Sequence, residues 1–163
     1  MANFIELAEK GFYNGTPFHR VESYLIQGGS PDGAPDGNAG YYIKDEVNAR
    51  RHEAGAVGMA KRQHQPDTAS CQFYICKKDC FYLDNLAEYT VFGKVVKGME
   101  VVQKIKKGDT IEKVEVVRKR DHPYKAEKLP LPGKKLPEEG KKKEAEKKKE
   151  PTSAEEKPSK EKS

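Results

Sequence analysis

The stretch from Phe18 to Gly29 constrains the fold of this chain more than any other segment. It has two short runs of strand-forming residues on either side of a bend, and it ends in a pair of glycines. Arg20 and Gln27 lie within these runs although both side chains are polar. An arginine offers five N–H donors in a fixed plane and keeps its charge, and a glutamine can hold that plane or bind a ligand backbone. The stretch therefore predicts a strand pair with a candidate functional arginine. An arginine lying over solvent at a sheet edge remains the alternative.

Short strand-like runs separated by turns fill most of residues 12–118. Helices are predicted near each end of this region, at 2–11 and 98–107, and the second is expected to bury Val101, Val102 and Ile105. Strands are predicted on both sides of the bend and at 56–60, 72–76, 89–96 and 111–118. This order is typical of a mainly β fold, a barrel whose mouths are covered by helices.

Alternation along the predicted strand at 72–76 separates two faces. Phe73 and Ile75 form a fully apolar face, which predicts a core. Gln72 and Tyr74 lie on the other face and are side chains that a peptide-binding groove would use. A tyrosine in the core with a satisfied hydroxyl is the alternative.

Charge is distributed unevenly along the chain. The net formal charge is +5, and residues 121–163 hold thirteen Lys against nine Glu and one Asp, which leaves only +2 for residues 1–120. Residues 141–150 contain one Ala among Lys and Glu, too little apolar surface for a core. We therefore predict a folded domain at 1–120 and a disordered, mixed-charge tail at 121–163.

Composition also argues against several classes of function. The tail charges nearly cancel, so nucleic acid binding is not expected, and no apolar run is long enough to span a membrane. The scattered histidines predict no metal site. No signal peptide is evident, and the three Cys form no C-x-x-C pair, so a cytoplasmic, reducing location is expected. No serine, cysteine or carboxylate pair has the setting of a catalytic nucleophile or acid–base pair.

Four ordered motifs resemble the cyclophilin family of peptidyl-prolyl isomerases over about residues 2–117. They are Phe18-His19-Arg20-Val21 with Ile26-Gln27-Gly28-Gly29, then Gly58-Met59-Ala60, then Ser70-Cys71-Gln72-Phe73-Tyr74-Ile75, and finally Leu83-Asp84 with Val91-Phe92-Gly93. The resemblance implies an eight-stranded antiparallel β-barrel capped by two helices. Two strands precede the first helix in that family, whereas Met1 leads directly into the helix here, so an incomplete barrel, open at its N-terminal side, is expected.

The reaction of this family needs no nucleophile. Rotation about an X–Pro bond is opposed by a barrier of about 18–20 kcal/mol, which is the amide resonance lost on twisting. A catalyst must bind the twisted amide better than the planar one, and a fixed cation such as Arg20 can do so without proton exchange. The proline ring needs an apolar pocket, and the residues that could form its walls are Tyr24, Leu25, Tyr74 and Leu83.

The resemblance assigns roles residue by residue. It makes Arg20 the catalytic residue and requires neither a cofactor nor a metal. The substrate-binding residues that it implies are Tyr24, Leu25, Gln27, Ala60, Lys61, Gln72, Tyr74, Tyr82, Leu83 and Tyr89. Two substitutions depart from the family pattern: Tyr74 replaces the usual phenylalanine, and Tyr82 replaces the tryptophan of many eukaryotic members, so at most weak cyclosporin binding is expected.

The partners implied are proline-containing peptides or unfolded protein chains, and a monomer is expected. Two alternatives to an isomerase remain at this stage. The same groove could bind proline peptides, or act as a chaperone, with little catalysis. The tail could instead carry the main role, as a docking segment for a partner.

Overall fold

In the computed structural model, which describes residues 1–137, the chain begins with helix α1 (Ala2–Glu9). Leu7 on this helix is buried, as its apolar stripe predicts. Asn3 is buried as well, and its side-chain amide donates to the carbonyl of Ser70 at 2.6 Å. The helix is therefore fixed to the loop before a central strand by a buried hydrogen bond in addition to apolar contact.

Strands within residues 1–137 form two antiparallel sheets. The strands are β1 (Arg20–Val21), β2 (Leu25–Gly28), β3 (Tyr41–Ile43), β4 (Ala56–Met59), β5 (Phe73–Cys76), β6 (Val91–Lys94) and β7 (Lys128–Pro130). Five of them form one sheet in the order β1-β2-β5-β4-β6, and β3 pairs with β7. The mainly β fold with two α-helices is thus confirmed, and the predicted pair around the bend is the hairpin β1–β2.

The two faces of β5 contact different parts of the core, as its alternation predicts. Phe73 and Ile75 pack in a cluster with residues of α1 and with Ile26 of β2. Tyr74 and Cys76 pack on the opposite face, in a second cluster that includes the loop after β5. The second face is the one that carries the polar residues of the candidate site.

Helix α2 (Met99–Lys104) is shorter than predicted, and one of its inward assignments is wrong. Val102 is buried and Ile105 packs against the first cluster, but Val101 is 58 % exposed. The helix ends because Ile105 adopts extended backbone angles (φ −56°, ψ 133°). With fewer than two turns of helix, only one stripe of side chains reaches the core.

The strand predicted at 111–118 is not part of either sheet. Its apolar residues Ile111, Val114 and Val116 do pack against the first cluster. Two backbone hydrogen bonds join Ile111, at the start of this segment, to the turn after α1. The Ile111 N–H donates to the carbonyl of Thr16 at 2.9 Å, and the Ile111 carbonyl accepts from the N–H of Gly15 at 2.7 Å. Among residues 1–137 no strand pairs with the rest of the segment, and a strand is defined by such pairing.

The pairing of β3 with β7 was not predicted. Tyr42 is opposite Leu129 in this small sheet, and Leu131, just after β7, is buried. Leu129 and Leu131 lie in the segment at 121–163 that the sequence assigns to the tail. The division at residue 120 stays a prediction, and so does the disorder of the tail, because residues 138–163 lie outside the described part of the chain.

Candidate active site

One row of residues crosses the large sheet and organises the site. Arg20 is directly opposite Gln27, Gln27 is opposite Tyr74, and Tyr74 is opposite Gly58. Directly opposite residues of antiparallel strands point to the same face. Because neighbouring strands lie about 4.8 Å apart, the backbones of Arg20 and Tyr74 are about 10 Å apart, a distance that about three residues of extended peptide span.

A line of hydrogen bonds connects the polar side chains of this face. Arg20 Nη1 donates to Gln27 Oε1 at 3.3 Å, and Gln27 Nε2 donates to Gln72 Oε1 at 2.8 Å. Gln72 Nε2 in turn donates to the carbonyls of Pro35 at 3.0 Å and Gly37 at 2.7 Å. Each amide therefore has a defined orientation, and the guanidinium is tied to the loop that contains the two Pro-Asp-Gly turns.

The guanidinium of Arg20 is accessible and is also contacted by two neighbours in the hairpin. The Arg20 side chain is 44 % exposed. Its Nη2 donates to Tyr24 Oη at 2.9 Å, and its Nε donates to Glu22 Oε1 at 3.4 Å. An arginine has five N–H donors, so these bonds and the one to Gln27 leave donors for a ligand. The arrangement supplies an oriented cation at the edge of the face that carries Gln27 and Tyr74, which we call the groove.

The apolar residues predicted to form the pocket lie together. The second core cluster and the residues packed against it include Tyr24, Leu25, Ala60, Tyr74, Leu83 and Tyr89. Leu25 and Tyr74 are 4 % exposed and Leu83 is 9 % exposed, so these three form the base of the cluster. Tyr24, Ala60 and Tyr89 are half-buried and are the members that a ligand reaches first.

Lys61 and Tyr82 differ from the other predicted residues in their surroundings. The Lys61 side chain is 3 % exposed, and its ammonium group forms a buried ion pair with Asp45. Lys61 still borders a cavity of about 90 Å³ that Gln27 and Gln72 also line. Tyr82 is 51 % exposed, and its ring contacts that of Tyr24 edge-on, with the centroids 6.0 Å apart.

Sequence reasoning missed His52 and the role of Asp84. His52 is buried, its Nε2 lies 2.6 Å from Tyr74 Oη, and its Nδ1 lies 2.5 Å from Asp84 Oδ1. A histidine within a polar stretch gave no local signal, because its partners are 22 and 32 residues away.

The three cysteines of residues 1–137 are buried free thiols, and burial raises the pKa of Cys71 to about 11, so this thiol is protonated at neutral pH and is a poor nucleophile. No group of three or more His, Cys, Asp or Glu side chains in this range could hold a metal ion. None of its helices has the length and apolar character needed to cross a membrane.

Comparison with known proteins identifies the family. Residues 1–125 match the family described as "Cyclophilin type peptidyl-prolyl cis-trans isomerase/CLD". A peptidyl-prolyl cis-trans isomerase of Helicobacter pylori is 44 % identical over 119 residues, which cover 70 % of this chain and 71 % of that protein. Peptidyl-prolyl cis-trans isomerase B of Bacillus subtilis is 42 % identical over 119 residues, 71 % of this chain and 80 % of that protein.

Solved structures agree with these sequence matches. A cyclophilin-type isomerase of Cryptosporidium parvum, crystallised in the presence of the dipeptide Ala-Pro, superimposes with a TM-score of 0.58 at 30 % identity. The match covers 67 % of this chain and 75 % of that one. The predicted cyclophilin-like fold is thereby confirmed. The chain therefore belongs to the cyclophilin-type family and is a peptidyl-prolyl cis-trans isomerase.

Proposed function

We propose that Arg20 is the electrostatic catalyst of X–Pro rotation in this protein. Twisting the amide frees the nitrogen lone pair and moves the carbonyl oxygen, and an oriented guanidinium can stabilise either change. The observation that supports this proposal is a pair of hydrogen bonds from the Arg20 guanidinium to Gln27 and Tyr24. These bonds hold an accessible cation in a fixed orientation on the groove face. Because arginine stays charged, the rate should not depend on proton transfer by this residue.

The proline ring is proposed to bind against the apolar cluster, with Tyr24, Ala60 and Tyr89 at its surface and Leu25, Tyr74, Leu83 beneath. The row Arg20–Gln27–Tyr74 supports this position. The distance from Arg20 to Tyr74 in the apolar cluster is one that a short extended peptide can span, so one substrate can contact both. Gln27 and Gln72 are proposed to bind the substrate backbone. The substrates are proposed to be proline-containing peptides and unfolded chains, in line with the Ala-Pro dipeptide used with the Cryptosporidium parvum relative.

The test is cis–trans exchange of an Ala-Pro peptide measured by NMR without a coupled protease. The parent should accelerate exchange, and Arg20→Ala should reduce the acceleration about 100-fold or more, the usual loss when a transition-state donor is removed. Arg118→Ala, at an exposed arginine outside the site, is the matched control and should keep the parental rate. Circular dichroism checks that all three proteins are folded.

Two results would contradict this assignment. An Arg20→Ala protein that remains folded and fully active would remove the arginine from the mechanism. A folded parent that binds the peptide without accelerating exchange would make the groove a binding module.

The finer expectations about partners and location remain proposals. We propose a monomer in a reducing compartment, to which the three buried free thiols are suited. Weak cyclosporin binding at most is proposed, because the half-exposed Tyr82 offers less apolar surface than a tryptophan. A docking role is proposed as the alternative for the tail at 121–163, of which residues 138–163 lie beyond the described part of the chain.

A further inference from the structure

Three polar side chains form a hydrogen-bonded chain beneath the apolar cluster. Asp84 Oδ1 lies 2.5 Å from His52 Nδ1, and His52 Nε2 lies 2.6 Å from Tyr74 Oη. His52 is 2 % exposed and Tyr74 is 4 % exposed, so these bonds are shielded from water. The proposed rotation mechanism uses neither the imidazole nor the carboxylate.

Asp84 determines which imidazole nitrogen carries the proton. Burial would raise the pKa of Asp84, but hydrogen bonds from the His52 ring and from the His52 backbone N–H, at 3.0 Å, outweigh burial and hold that pKa below its usual value. An ionised carboxylate only accepts hydrogen bonds, so Nδ1 donates to it. Burial also raises the pKa of the Tyr74 hydroxyl and so keeps it protonated; when Nδ1 alone carries the ring proton, this hydroxyl donates to Nε2.

The hydroxyl of Tyr74 points away from the arginine. Tyr74 lies between Gln27 on one neighbouring strand and Gly58 on the other. A Cβ atom on Gly58 would lie only 2.3 Å from Tyr74 Oη, so the side chain leans across the glycine toward β4. The polar end of the tyrosine is therefore on the far side of the ring from Arg20, and the ring remains beneath the groove.

Within residues 1–137, the hydrogen bond to His52 is the only one that the Tyr74 hydroxyl makes. A cavity of about 200 Å³ borders His52, Leu83, Asp84 and Tyr89. The Tyr89 ring contacts both His52 and Tyr74 edge-on, at centroid distances of 6.3 Å and 6.1 Å. Removal of the imidazole would enlarge this cavity and leave the buried Tyr74 hydroxyl without a hydrogen bond. Because an unpaired buried hydroxyl is energetically unfavourable, the tyrosine side chain would turn toward water in the groove.

We propose that His52, oriented by Asp84, is a positioning residue for the proline site: it binds the Tyr74 hydroxyl so that the pocket presents an aromatic ring and not a polar group. This role rests on the proposed assignment of Tyr74 to the proline pocket. It accounts for a tyrosine at a position where a hydroxyl would otherwise weaken an apolar site. It also gives the buried histidine and carboxylate a function in substrate binding.

The test compares the full chain with His52→Leu, Tyr74→Phe and the double variant. For each protein, NMR titration gives the dissociation constant of an Ala-Pro peptide, and exchange at saturation gives the rate on the protein. His52→Leu should bind the peptide about 5-fold or more weakly, because an unpaired hydroxyl enters the site. Its rate at saturation should change little, because the lost interaction is made equally by the ground state and transition state.

Removal of the hydroxyl should make the histidine unnecessary for binding. Tyr74→Phe and the double variant should therefore bind the peptide equally, whereas a purely structural role of His52 would weaken binding in the double variant, relative to Tyr74→Phe, as much as His52→Leu weakens it relative to the parent. The latter result would overturn the proposal. In the parent, ¹⁵N signals that show no proton on His52 Nδ1 would overturn the orientation of His52 by Asp84, and this measurement needs no variant to fold.

Tyr74→Ala separates a failure of this proposal from a failure of the proposed function. If Tyr74→Ala binds the peptide as tightly as the parent, Tyr74 does not contact proline, and the assignment of the pocket fails. If Tyr74→Ala binds weakly while folded His52→Leu binds normally, the pocket stands and only the positioning role of His52 is overturned.

Discussion

Gly58 shows at the residue scale how one missing side chain shapes the pocket. The ring of Tyr74 occupies the space above this glycine, and a Cβ there would also lie 2.4 Å from Tyr74 Cζ. Glycine within a strand is otherwise unfavourable, because it loses much chain entropy and contributes no packing. Its presence in the middle of β4 is thus explained by the close approach of a large neighbour.

We expect Gly58→Ala to destabilise the protein by about 1–3 kcal/mol, because the new methyl group forces the Tyr74 ring out of its place. Urea unfolding measures this change, and peptide affinity should fall with it. Tyr74→Leu in the same chain should recover part of the lost stability. Gly93→Ala is the matched control, since a Cβ at that glycine of β6 would meet its nearest atom at an ordinary 3.6 Å.

Equal destabilisation by both alanine substitutions would contradict this explanation. The loss would then come from glycine replacement in a strand and not from the collision with Tyr74.

Contacts between residues that are close in the sequence could be predicted, because a hairpin or an alternating pattern indicates them. Contacts with partners that are distant in the sequence could not be predicted. The pairing of Arg20 with Gln27 follows from a hairpin in which the two residues are 7 positions apart. The burial of the Lys61 ammonium depends on Asp45, 16 positions away in a loop, and no periodic pattern reports such a contact. The assignment of Lys61 to substrate binding comes from the resemblance alone and stays a prediction.

At the scale of elements, α1 is joined to β7 by a partly buried cluster of charges. Glu6 Oε1 accepts from Lys128 Nζ at 2.9 Å and from Lys10 Nζ at 2.5 Å. Burial would raise the pKa of Glu6, but the two ammonium groups outweigh it and hold that pKa below the usual value. A carboxyl group with a lowered pKa in the folded state stabilises the fold while it is ionised.

We therefore expect Glu6→Gln to lower the free energy of unfolding by about 1–2 kcal/mol at pH 7. The stabilisation is fully present above the pKa of the unfolded state, about 4.3 for a glutamate, and is lost as the pH falls through the lower folded-state pKa. Urea unfolding of the parent and the variant at several pH values measures the difference, which should shrink in acid.

Glu9→Gln on the same helix serves as the control, because the ion pair of Glu9 with Lys119 is about two-fifths exposed on both sides and should contribute little. A difference between parent and Glu6→Gln that stays constant down to acid pH would show that charge is not its cause.

Strands could be predicted where alternation or a hairpin is encoded within a few residues. The two faces of β5 are an example, since each residue alternates with the next. β7 could not be predicted, because Lys128-Leu129-Pro130 is too short for a pattern and contains a proline. Proline is tolerated there because β7 pairs on one side only, within a two-stranded sheet.

At the scale of the whole molecule, residues 128–137 belong to the segment that the sequence assigns to the tail, yet they include β7 and the buried Leu131. A chain ending at residue 127 would lose β7 and the buried Leu131, and we expect it to be about 2–4 kcal/mol less stable than the full chain. A chain ending at residue 137 should keep both the stability and the peptide exchange rate, because the residues removed are rich in Lys and Glu.

Urea unfolding and NMR exchange on the full chain and the two shortened chains provide the measurement. Equal stability of the chains ending at 127 and 137 would show that β7 contributes nothing. A large loss on removing only residues 138–163 would show that the tail contacts the domain.

The pairing of β3 with β7 also sets the order in which a growing chain can complete its fold. Tyr42 and Leu129 are 87 positions apart (129 minus 42), whereas Arg20 and Gln27 are 7 apart (27 minus 20). The loss of chain entropy on closing the larger loop raises its free energy of closure by about 2 kcal/mol relative to the hairpin. The hairpin can therefore form first and the small sheet last. At a synthesis rate of about 5–20 residues per second, Leu129 is added about 4–17 seconds after Tyr42. During translation, β3 therefore lacks its β7 partner for seconds, and this open edge can pair with a neighbouring nascent chain.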